Sequence, residues 1–330
     1  MRAVVAPDPG GPEALRIVDL PDPDVRPGEV LLDVHATALN RADLLQREGR
    51  YPPPPGVTEV LGLEAAGVVA AVAPDVPGWS VGQPAMALVA GGGYAERVAV
   101  PAGQLMHVPE KIDTVTAAAI PEAFLTGWMA LHFLAATRPG DNVLIHAGSS
   151  GVGLAAVQIA RQLGATPFVT SRTAERLAMP ESLGATGIVA TDAVFAKKLL
   201  DATGGDGADV IIDLVGAAYW KENAAALAIG VRIVMLSLTT GARGEVDFGR
   251  LLARQATLFG ATLRARTSNF KASLVESFGD WGLPRLAAGD LVPVIDRVLA
   301  LDEVAAAHTA LQEESVVGKI LLRTERAPPA

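Results

Sequence analysis

The sequence predicts an α/β protein in which a doubly wound parallel sheet is combined with a separate β-rich region. From about residue 142, short β-branched runs alternate with helical stretches, the pattern of a parallel sheet covered on both faces. Before about residue 120, short alternating runs are separated by turns rich in proline and glycine, which is typical of antiparallel β-structure. The length of 330 residues is sufficient for two domains.

Six buried strands are predicted in the α/β region, because their runs are apolar without alternation. They are residues 142–146, 166–170, 187–190, 208–213, 231–237 and 256–262. The clearest helix is 151–163, where apolar residues recur about one turn apart and Gly164 gives a stop signal. A second helix, 173–183, contains Pro180, so we expect a kink or two short helices there.

The remaining predicted elements lie before residue 120 and after residue 265. The first part is expected to be all-β, with strands at 29–36, 67–72 and 94–100. The tail is expected to rejoin this part, with helices at 268–288 and 302–313 and strands at 292–299 and 318–323. Between them, Tyr51 and the prolines that follow it form a stiff segment, interpreted either as a rigid connector or as a wall of the active site.

The composition excludes several classes of function. The chain has no cysteine, which excludes disulfides, a thiolate nucleophile, thiolate zinc sites and iron–sulfur clusters. A net charge of -9 without any run of Lys and Arg argues against a nucleic-acid partner. The sequence shows neither a signal peptide nor an apolar stretch near the roughly 20 residues of a membrane span. We therefore expect a cytoplasmic protein without a membrane partner.

A glycine-rich loop is predicted to hold phosphate groups. Residues 146–153 follow a predicted strand and open a predicted helix, a context that makes the loop a strong signal for dinucleotide binding. Glycine lets the backbone approach a pyrophosphate, and the start of the helix stabilises its charge. A nucleophile elbow would need glycine in place of Val152, and a P-loop would need Gly-Lys-Ser/Thr. A purely structural turn is the remaining alternative.

The residues after the second predicted strand favour NADPH over NADH. Sites for NAD usually carry an acidic residue about 20 positions past the glycine loop, where this chain has Ser171. Arg172 and Arg176 offer guanidinium groups that suit a 2′-phosphate. In the competing interpretation both arginines are solvated, and Glu175 accepts a hydrogen bond from the ribose 2′-hydroxyl.

Four motifs together carry a resemblance to a known family. They are residues 40–43, 51–56, 61–67 and 147–153, with further similarity at 119–123 and 318–320. The sequence resembles the quinone oxidoreductase (ζ-crystallin-like) family of medium-chain dehydrogenases/reductases. The resemblance implies a Rossmann nucleotide-binding domain over 122–264, a GroES-like β-barrel substrate domain formed by 1–121 and 265–330, a cleft that binds NADPH, and a homodimer.

The resemblance also implies site residues, which extend those of the glycine loop and the two arginines. The expected catalytic residues are Asn40, Asp43, Tyr51 and Ser150. The expected cofactor-binding residues are Thr126, Gly148, Ser150, Gly151, Val152, Ser171, Arg172, Arg176, Val215, Gly216, Ser237, Leu238, Thr262 and Leu263. The alternative interpretations pair Asp43 with Arg41 or Arg47 on a solvated face, and make Asn40 a helix cap.

The pattern expected of zinc-dependent relatives is missing. Asn40 occupies the place of the first zinc ligand, and Leu63 stands where zinc enzymes carry a histidine beside Glu64. The histidines show no metal-binding spacing and are expected to be ordinary structural residues: His35, His107, His132, His146 and His308. Without a metal to polarise a carbonyl, an electron-poor acceptor fits better than an alcohol.

The resemblance implies reduction of a small aromatic quinone by NADPH. An alternative enzyme is a 2-alkenal or enoyl reductase, in which Tyr51 could deliver the proton. A non-enzymatic alternative is a cofactor-binding structural or RNA-associated protein. The sequence departs from its relatives at Ser237, where they have glycine, at Val316, where they have asparagine, and at 190–191, which lack a tyrosine near the 2′-phosphate. Because this tyrosine is missing, the prediction of NADPH depends on Arg172 and Arg176.

Overall fold

The computed structural model describes residues 1–313 and 316–328. Its strands are β1 Arg2–Val5, β2 Arg16–Asp19, β3 Glu29–Ala38, β4 Glu64–Val72, β5 Pro84–Leu88, β6 Arg97–Pro101, β7 Leu105–His107, β8 Asn142–Ile145, β9 Thr166–Ser171, β10 Thr186–Val189, β11 Ala208–Asp213, β12 Leu227–Met235, β13 Thr257–Gly260, β14 Ile295–Ala300 and β15 Lys319–Arg323. Its α-helices are α1 Arg41–Arg47, α2 Thr114–Ala117, α3 Pro121–Trp128, α4 Gly151–Gln162, α5 Ala178–Ser182, α6 Ala196–Ala202, α7 Trp220–Ala225, α8 Phe248–Ala253, α9 Ser268–Ala288 and α10 Val304–Gln312.

The chain divides into two compact units. Unit 1 consists of Met1–Leu125 and Leu263–Ala330, and unit 2 consists of Thr126–Thr262. Each unit has its own sheet and its own buried apolar clusters.

Unit 2 is built on a six-stranded parallel sheet in the order β10-β9-β8-β11-β12-β13. The strand order reverses between β8 and β11, and ligands of open α/β sheets bind at such a switch point. All six predicted strands are confirmed. The main difference is the start of β12 at Leu227, because Leu227 pairs with Ala208 before the register shifts.

The helices of unit 2 also follow the sequence. Helix α4 begins at Gly151 as predicted, and its residues 153–160 are all buried. The predicted helix around Pro180 is two short pieces, a 3₁₀ turn at Glu175–Leu177 followed by α5. Pro180 is the third residue of α5, where a backbone N–H has no intrahelical acceptor, so the proline is tolerated. A π-helical turn at Met129–Leu134 was not predicted.

Unit 1 contains a seven-stranded sheet in the order β14-β15-β3-β4-β5-β7, with β6 paired to β3. Strand β15 runs antiparallel to β3, so residues from both ends of the chain share one sheet. Strand β14 begins at Ile295, later than predicted, because Pro293 cannot donate to the ladder. Helix α9 has the predicted bounds, and the last predicted helix is a 3₁₀ turn followed by α10.

The prediction that the first 120 residues are all-β is wrong. Helix α1 follows β3 directly, and the short helix α2 follows β7. The backbone N–H of Asn40 donates to Asp43 Oδ2 at 2.7 Å, which stabilises the first turn of α1. Within the part of the chain that the structure describes, no helix has the length and apolar character needed to cross a membrane.

Candidate functional site

The glycine loop of unit 2 turns tightly between β8 and α4. A Cβ atom on Gly148 would lie 2.5 Å from the Cβ of Val169, and one on Gly153 would lie 2.5 Å from the carbonyl oxygen of Ala147. Both distances are too short for any side chain. Glycine at these positions lets the loop lie flat against β9 and lets α4 begin directly beside it.

The start of α4 provides an anion-binding end. Ser150 is the N-cap, and its Oγ accepts a hydrogen bond from the N–H of Gly153 at 3.1 Å. Gly151 and Val152 are the first two helical residues, whose N–H groups lack intrahelical acceptors. The positive end of the helix dipole therefore faces the loop. Ser150 was predicted as a site residue, and in the structure its side chain caps the helix.

Two guanidinium groups lie close together beyond the end of β9. Ser171 ends the strand and is buried, whereas Arg172 is exposed and Arg176 is partly buried in the 3₁₀ turn. Burial, followed by the nearby Arg172 charge, lowers the pKa of Arg176. Two like charges held near each other favour a doubly charged anion. The Glu175 carboxyl is engaged locally, because its own backbone N–H and the Thr173 hydroxyl lower its pKa.

Other predicted cofactor residues of unit 2 also lie beyond strand ends. Val215 and Gly216 follow β11, Ser237 and Leu238 follow β12, and Thr262 follows β13. Because the sheet is parallel, these positions share one edge with the glycine loop and with Ser171. Thr126 lies on α3 and is buried. Leu263 begins the second segment of unit 1, and its side chain is buried there.

A buried polar cluster in unit 1 surrounds the Lys319 ammonium. Lys319 Nζ donates to Asn40 Oδ1 at 2.6 Å, to Glu64 Oε1 at 2.7 Å and to the Leu39 carbonyl oxygen at 2.9 Å. Asn40 Nδ2 donates to Glu64 Oε1 at 2.8 Å. The Asn40 side chain is therefore bound to a salt bridge, and the interpretation that it only caps α1 is wrong. Lys319 was not identified as a site residue from the sequence, although a lysine directly before the apolar run 320–322 was a visible signal.

Asp43 is fully buried beside this cluster. Its Oδ2 accepts hydrogen bonds from the Asn40 N–H and from the Tyr94 hydroxyl, the latter at 3.2 Å, and its Oδ1 has no partner among the described residues. Burial raises the pKa of Asp43 to about 6. The interpretation of Asp43 as part of a solvated face is therefore wrong. Arg47, the proposed partner, donates to the Gly10 carbonyl oxygen and to Glu48 instead.

Glu122, at the start of α3, is a further titratable group of the cluster. Its backbone N–H donates to Glu64 Oε2 at 2.8 Å. Burial, and then the Glu64 charge, raise the pKa of Glu122 to about 8, whereas the Lys319 and Lys271 charges oppose this shift. From the sequence, Glu122 was recognised only as part of the family motif at 119–123.

Tyr51 is held by a buried arginine. Arg264 Nη1 donates to the Tyr51 carbonyl oxygen at 3.1 Å, and its Cζ lies 5.3 Å from the centre of the Tyr51 ring. The same guanidinium donates to Gln46 Oε1 at 2.7 Å, and Lys271 Nζ donates to the Arg264 carbonyl oxygen at 2.8 Å. The half-buried Tyr51 thus has a fixed backbone and a cation at its ring. Arg264 was not identified from the sequence, because it lies far from Tyr51 along the chain.

No group of three or more His, Asp or Glu side chains that could hold a metal ion occurs within residues 1–313 and 316–328. The predicted residues thus fall into two sets. The strand-end residues gather at the edge of the parallel sheet of unit 2, and Asn40, Asp43 and Tyr51 lie with charged groups of unit 1. A glycine loop at a switch point, a helix start and paired cations are the features of a pyridine-nucleotide-dependent oxidoreductase.

Comparison with known proteins defines the class further. Residues 26–110 match the family model "Alcohol dehydrogenase GroES-like domain", and residues 151–278 match the model "Zinc-binding dehydrogenase". The chain is 30% identical to human quinone oxidoreductase over 331 residues, which cover 98% of this chain and 97% of the human one. The chain belongs to the quinone oxidoreductase family of medium-chain dehydrogenases/reductases.

Solved structures similar to this chain belong to proteins with different names. A structure titled NAD-dependent alcohol dehydrogenase is 33% identical, with a TM-score of 0.87 over 98% of this chain and 99% of that one. A mycobacterial protein complexed with NADPH is 29% identical, with a TM-score of 0.86 over 98% and 100% of the two chains. The CurK enoyl reductase is 26% identical, with a TM-score of 0.86 over 98% and 99%. The family relationship therefore defines an oxidoreductase of this fold with a pyridine-nucleotide cofactor.

Proposed function

We propose that the protein is an NADPH-dependent reductase of small quinones that works without a metal. The observation that carries the cofactor choice is the pair Arg172 and Arg176 beyond β9, with no acidic side chain at the end of that strand. Full-length similarity to human quinone oxidoreductase supports the quinone as acceptor. The substrate is a small molecule, and neither nucleic acid nor a membrane is part of the proposal.

The residues present fit the cofactor. Because Gly148 and Gly153 carry no Cβ, the loop turns tightly beside β9, and the N-terminus of α4 is free to stabilise a pyrophosphate. Arg172 and Arg176 would hold the 2′-phosphate. When bound, NADPH supplies the hydride that reduces the acceptor. The contribution of this chain is to bind the anionic groups, to orient them and to position the acceptor.

Tyr51 is proposed to orient the acceptor rather than to act as an acid. A quinone collects its protons on oxygen, where transfer from water is fast, so no fixed donor is needed. We therefore expect Tyr51→Phe to keep quinone turnover within about tenfold of wild type, because only orientation is lost. Tyr51→Ala should be slower, since it also removes the ring that lies beside Arg264. The measurement is NADPH oxidation with an ortho-quinone.

An enoyl or 2-alkenal reductase is the second candidate function, favoured by the similarity to the CurK enoyl reductase. This reaction needs a proton placed on carbon or its enolate, for which a positioned acid contributes about 10²- to 10⁴-fold. The wild type, Tyr51→Phe and Tyr51→Ala are therefore also assayed with a 2-alkenal. Strong wild-type alkenal reduction that collapses in Tyr51→Phe would replace the quinone proposal with this one.

The absence of a catalytic metal is proposed from the Lys319 contacts. Asn40 Oδ1 and Glu64 Oε1, two oxygens that could face a metal ion, already bind the buried Lys319 ammonium. We expect activity to survive exhaustive dialysis against a chelator, and elemental analysis to find no stoichiometric zinc. One zinc per chain, lost together with activity, would contradict this prediction.

A homodimer is proposed through the free edge of the unit 2 sheet. Among the described residues, β13 pairs only with β12, and its Leu258 is 48% exposed. On the neighbouring α8, Phe248 is 72% exposed and Leu252 is 80% exposed. An exposed strand edge beside apolar side chains is complementary to a second copy of itself.

The homodimer is tested by the mass in solution. Sedimentation should give twice 34.0 kDa for wild type, and the monomer mass for the variant Phe248→Glu/Leu252→Glu. Val81→Glu, which changes an exposed apolar residue of unit 1, is the matched control and should remain dimeric. A wild-type monomer at micromolar concentration would refute the proposal.

A further inference from the structure

A chain of buried hydrogen bonds links the carboxyl ends of three neighbouring strands in unit 2. His146 follows β8, and its Nδ1 lies 2.8 Å from the Oγ1 of Thr170 in β9. Its Nε2 lies 2.7 Å from Asn223 Oδ1, and Asn223 Nδ2 donates to Asp213 Oδ2 at 3.0 Å. Asp213 ends β11, and all four side chains are fully buried.

The direction of every hydrogen bond in this chain follows from the Asp213 carboxylate. A carboxylate only accepts, so the NH₂ group of Asn223 must face Asp213 and its oxygen must face His146. That oxygen cannot donate, so His146 carries its proton on Nε2. Its Nδ1 then accepts the hydroxyl proton of Thr170. Burial lowers the pKa of His146, which is consistent with a neutral ring, although the Asp213 charge opposes this effect.

Both ends of the chain of bonds hold loops at the ligand edge. Asp213 Oδ1 accepts the N–H groups of Val215 and Gly216, each at 2.8 Å. The Val215 carbonyl oxygen accepts the Thr240 N–H at 2.9 Å, which continues the connection to the segment after β12. At the other end, His146 is the first residue of the glycine loop, whose Gly148 N–H donates to the Thr170 carbonyl oxygen at 3.2 Å.

We propose that His146, Asn223 and Asp213 are positioning residues that fix the loops on both sides of the switch point between β8 and β11, and thereby set the affinity for the part of the dinucleotide that NADPH and NADH share. This inference rests on the proposed function. The three side chains are buried beneath the edge and act through the loops that they hold. Their loss should therefore weaken both cofactors equally, unlike the loss of Arg172 and Arg176.

An exchange of two residues tests the inference. Asp213→Asn places two amide groups face to face, so the Asn223 amide must turn and His146 must move its proton to Nδ1. Asn223→Asp places two carboxylates face to face, which repel each other. In the double variant Asp213→Asn/Asn223→Asp the charge moves to position 223. The carboxylate there accepts the His146 Nε2–H and a hydrogen bond from the amide introduced at position 213, so His146 keeps its original tautomer.

We expect the dissociation constants of NADPH and NADH, measured by calorimetry at pH 8, to rise about tenfold or more in Asn223→Asp, where two buried carboxylates repel each other, and about threefold in Asp213→Asn, where the turned amide restores the hydrogen bonds. The double variant should return to within about threefold of wild type. Nitrogen-15 NMR of the histidine rings should show the Nε2–H form of His146 in the wild type and the double variant, and the Nδ1–H form in Asp213→Asn. His132→Phe, which alters another histidine of unit 2, is the control and should leave both constants unchanged.

Wild-type dissociation constants in Asn223→Asp, or a double variant no better than Asn223→Asp, would overturn the inference. If a single variant does not fold, Thr170→Val replaces it, since this change removes only the hydroxyl and keeps the shape. It should raise both constants by about threefold, and an unchanged affinity would again count against the inference. Failure of the wild type to bind either dinucleotide would instead overturn the proposed function.

Discussion

Replacing both Arg172 and Arg176 with alanine is expected to weaken NADPH binding by about a hundredfold while changing NADH binding little. Each charge-assisted hydrogen bond to a phosphate contributes about 1.5–3 kcal/mol, and each is therefore equivalent to about tenfold or more in affinity. NADH lacks the 2′-phosphate, so it loses none of these bonds. The measurement is the pair of dissociation constants for the two cofactors, with each single variant expected to lie between wild type and the double variant.

The control for this prediction is Lys197→Ala, which removes an exposed cation of the same unit whose ammonium contacts Asp201. It changes the net charge by one unit, as each single arginine variant does, and should leave the cofactor ratio as it is. A wild type that prefers NADH, or a double variant that loses both cofactors equally, would show that the arginines do not hold the 2′-phosphate. Glu175, whose carboxyl is engaged with Thr173, would then be the residue to test for the ribose hydroxyl.

Removing one partner of the buried Lys319–Glu64 ion pair is expected to destabilise the protein by about 3–5 kcal/mol. The Lys319 ammonium and the Glu64 carboxylate are almost fully buried, with relative exposures of 5% and 0%. Lys319→Met leaves Glu64 with only the Asn40 amide and the Glu122 N–H as donors. The midpoint of urea unfolding should therefore fall clearly in Lys319→Met and in Glu64→Gln.

Two further variants make the stability prediction specific to the buried pair. The double variant Lys319→Met/Glu64→Gln removes both charges of the pair and should recover part of the loss. Lys197→Met breaks the exposed ion pair with Asp201, whose ammonium and carboxylate are 2.6 Å apart, and should cost less than about 1 kcal/mol. Equal effects of Lys319→Met and Lys197→Met on the free energy of unfolding would mean that burial of the pair does not increase the cost of breaking it.

The raised pKa of Asp43 and of Glu122 has the same physical origin as this ion pair. Burial is the largest cause for both carboxyl groups, and the Lys319 ammonium opposes the shift in each. The Glu64 charge also raises the pKa of both groups. Glu64 links Glu122 to Asn40, which the sequence predicts at the substrate.

The local sequence was sufficient to predict an element wherever its pattern depends on residues that are close along the chain. The strands of the parallel sheet are buried on both faces, so their apolar runs were recognisable without partners. Pro180 predicted two short helices because its missing N–H acts within one turn. The glycine loop was recognisable because a strand before it and a helix after it define its geometry.

Contacts between residues distant in sequence decided the rest. Asp43 of α1 accepts a hydrogen bond from Tyr94, which lies 51 positions away, and periodicity before residue 120 gave no sign of this contact. Lys319 meets Asn40 and Glu64 across 279 and 255 positions, so the ion pair exists only when both ends of the chain share a sheet. The sequence by itself determined which elements form in the α/β region and where a phosphate is expected to bind, because these depend on nearest neighbours. Only the tertiary structure decided which buried charges meet, because the desolvation of a charge depends on every group packed around it.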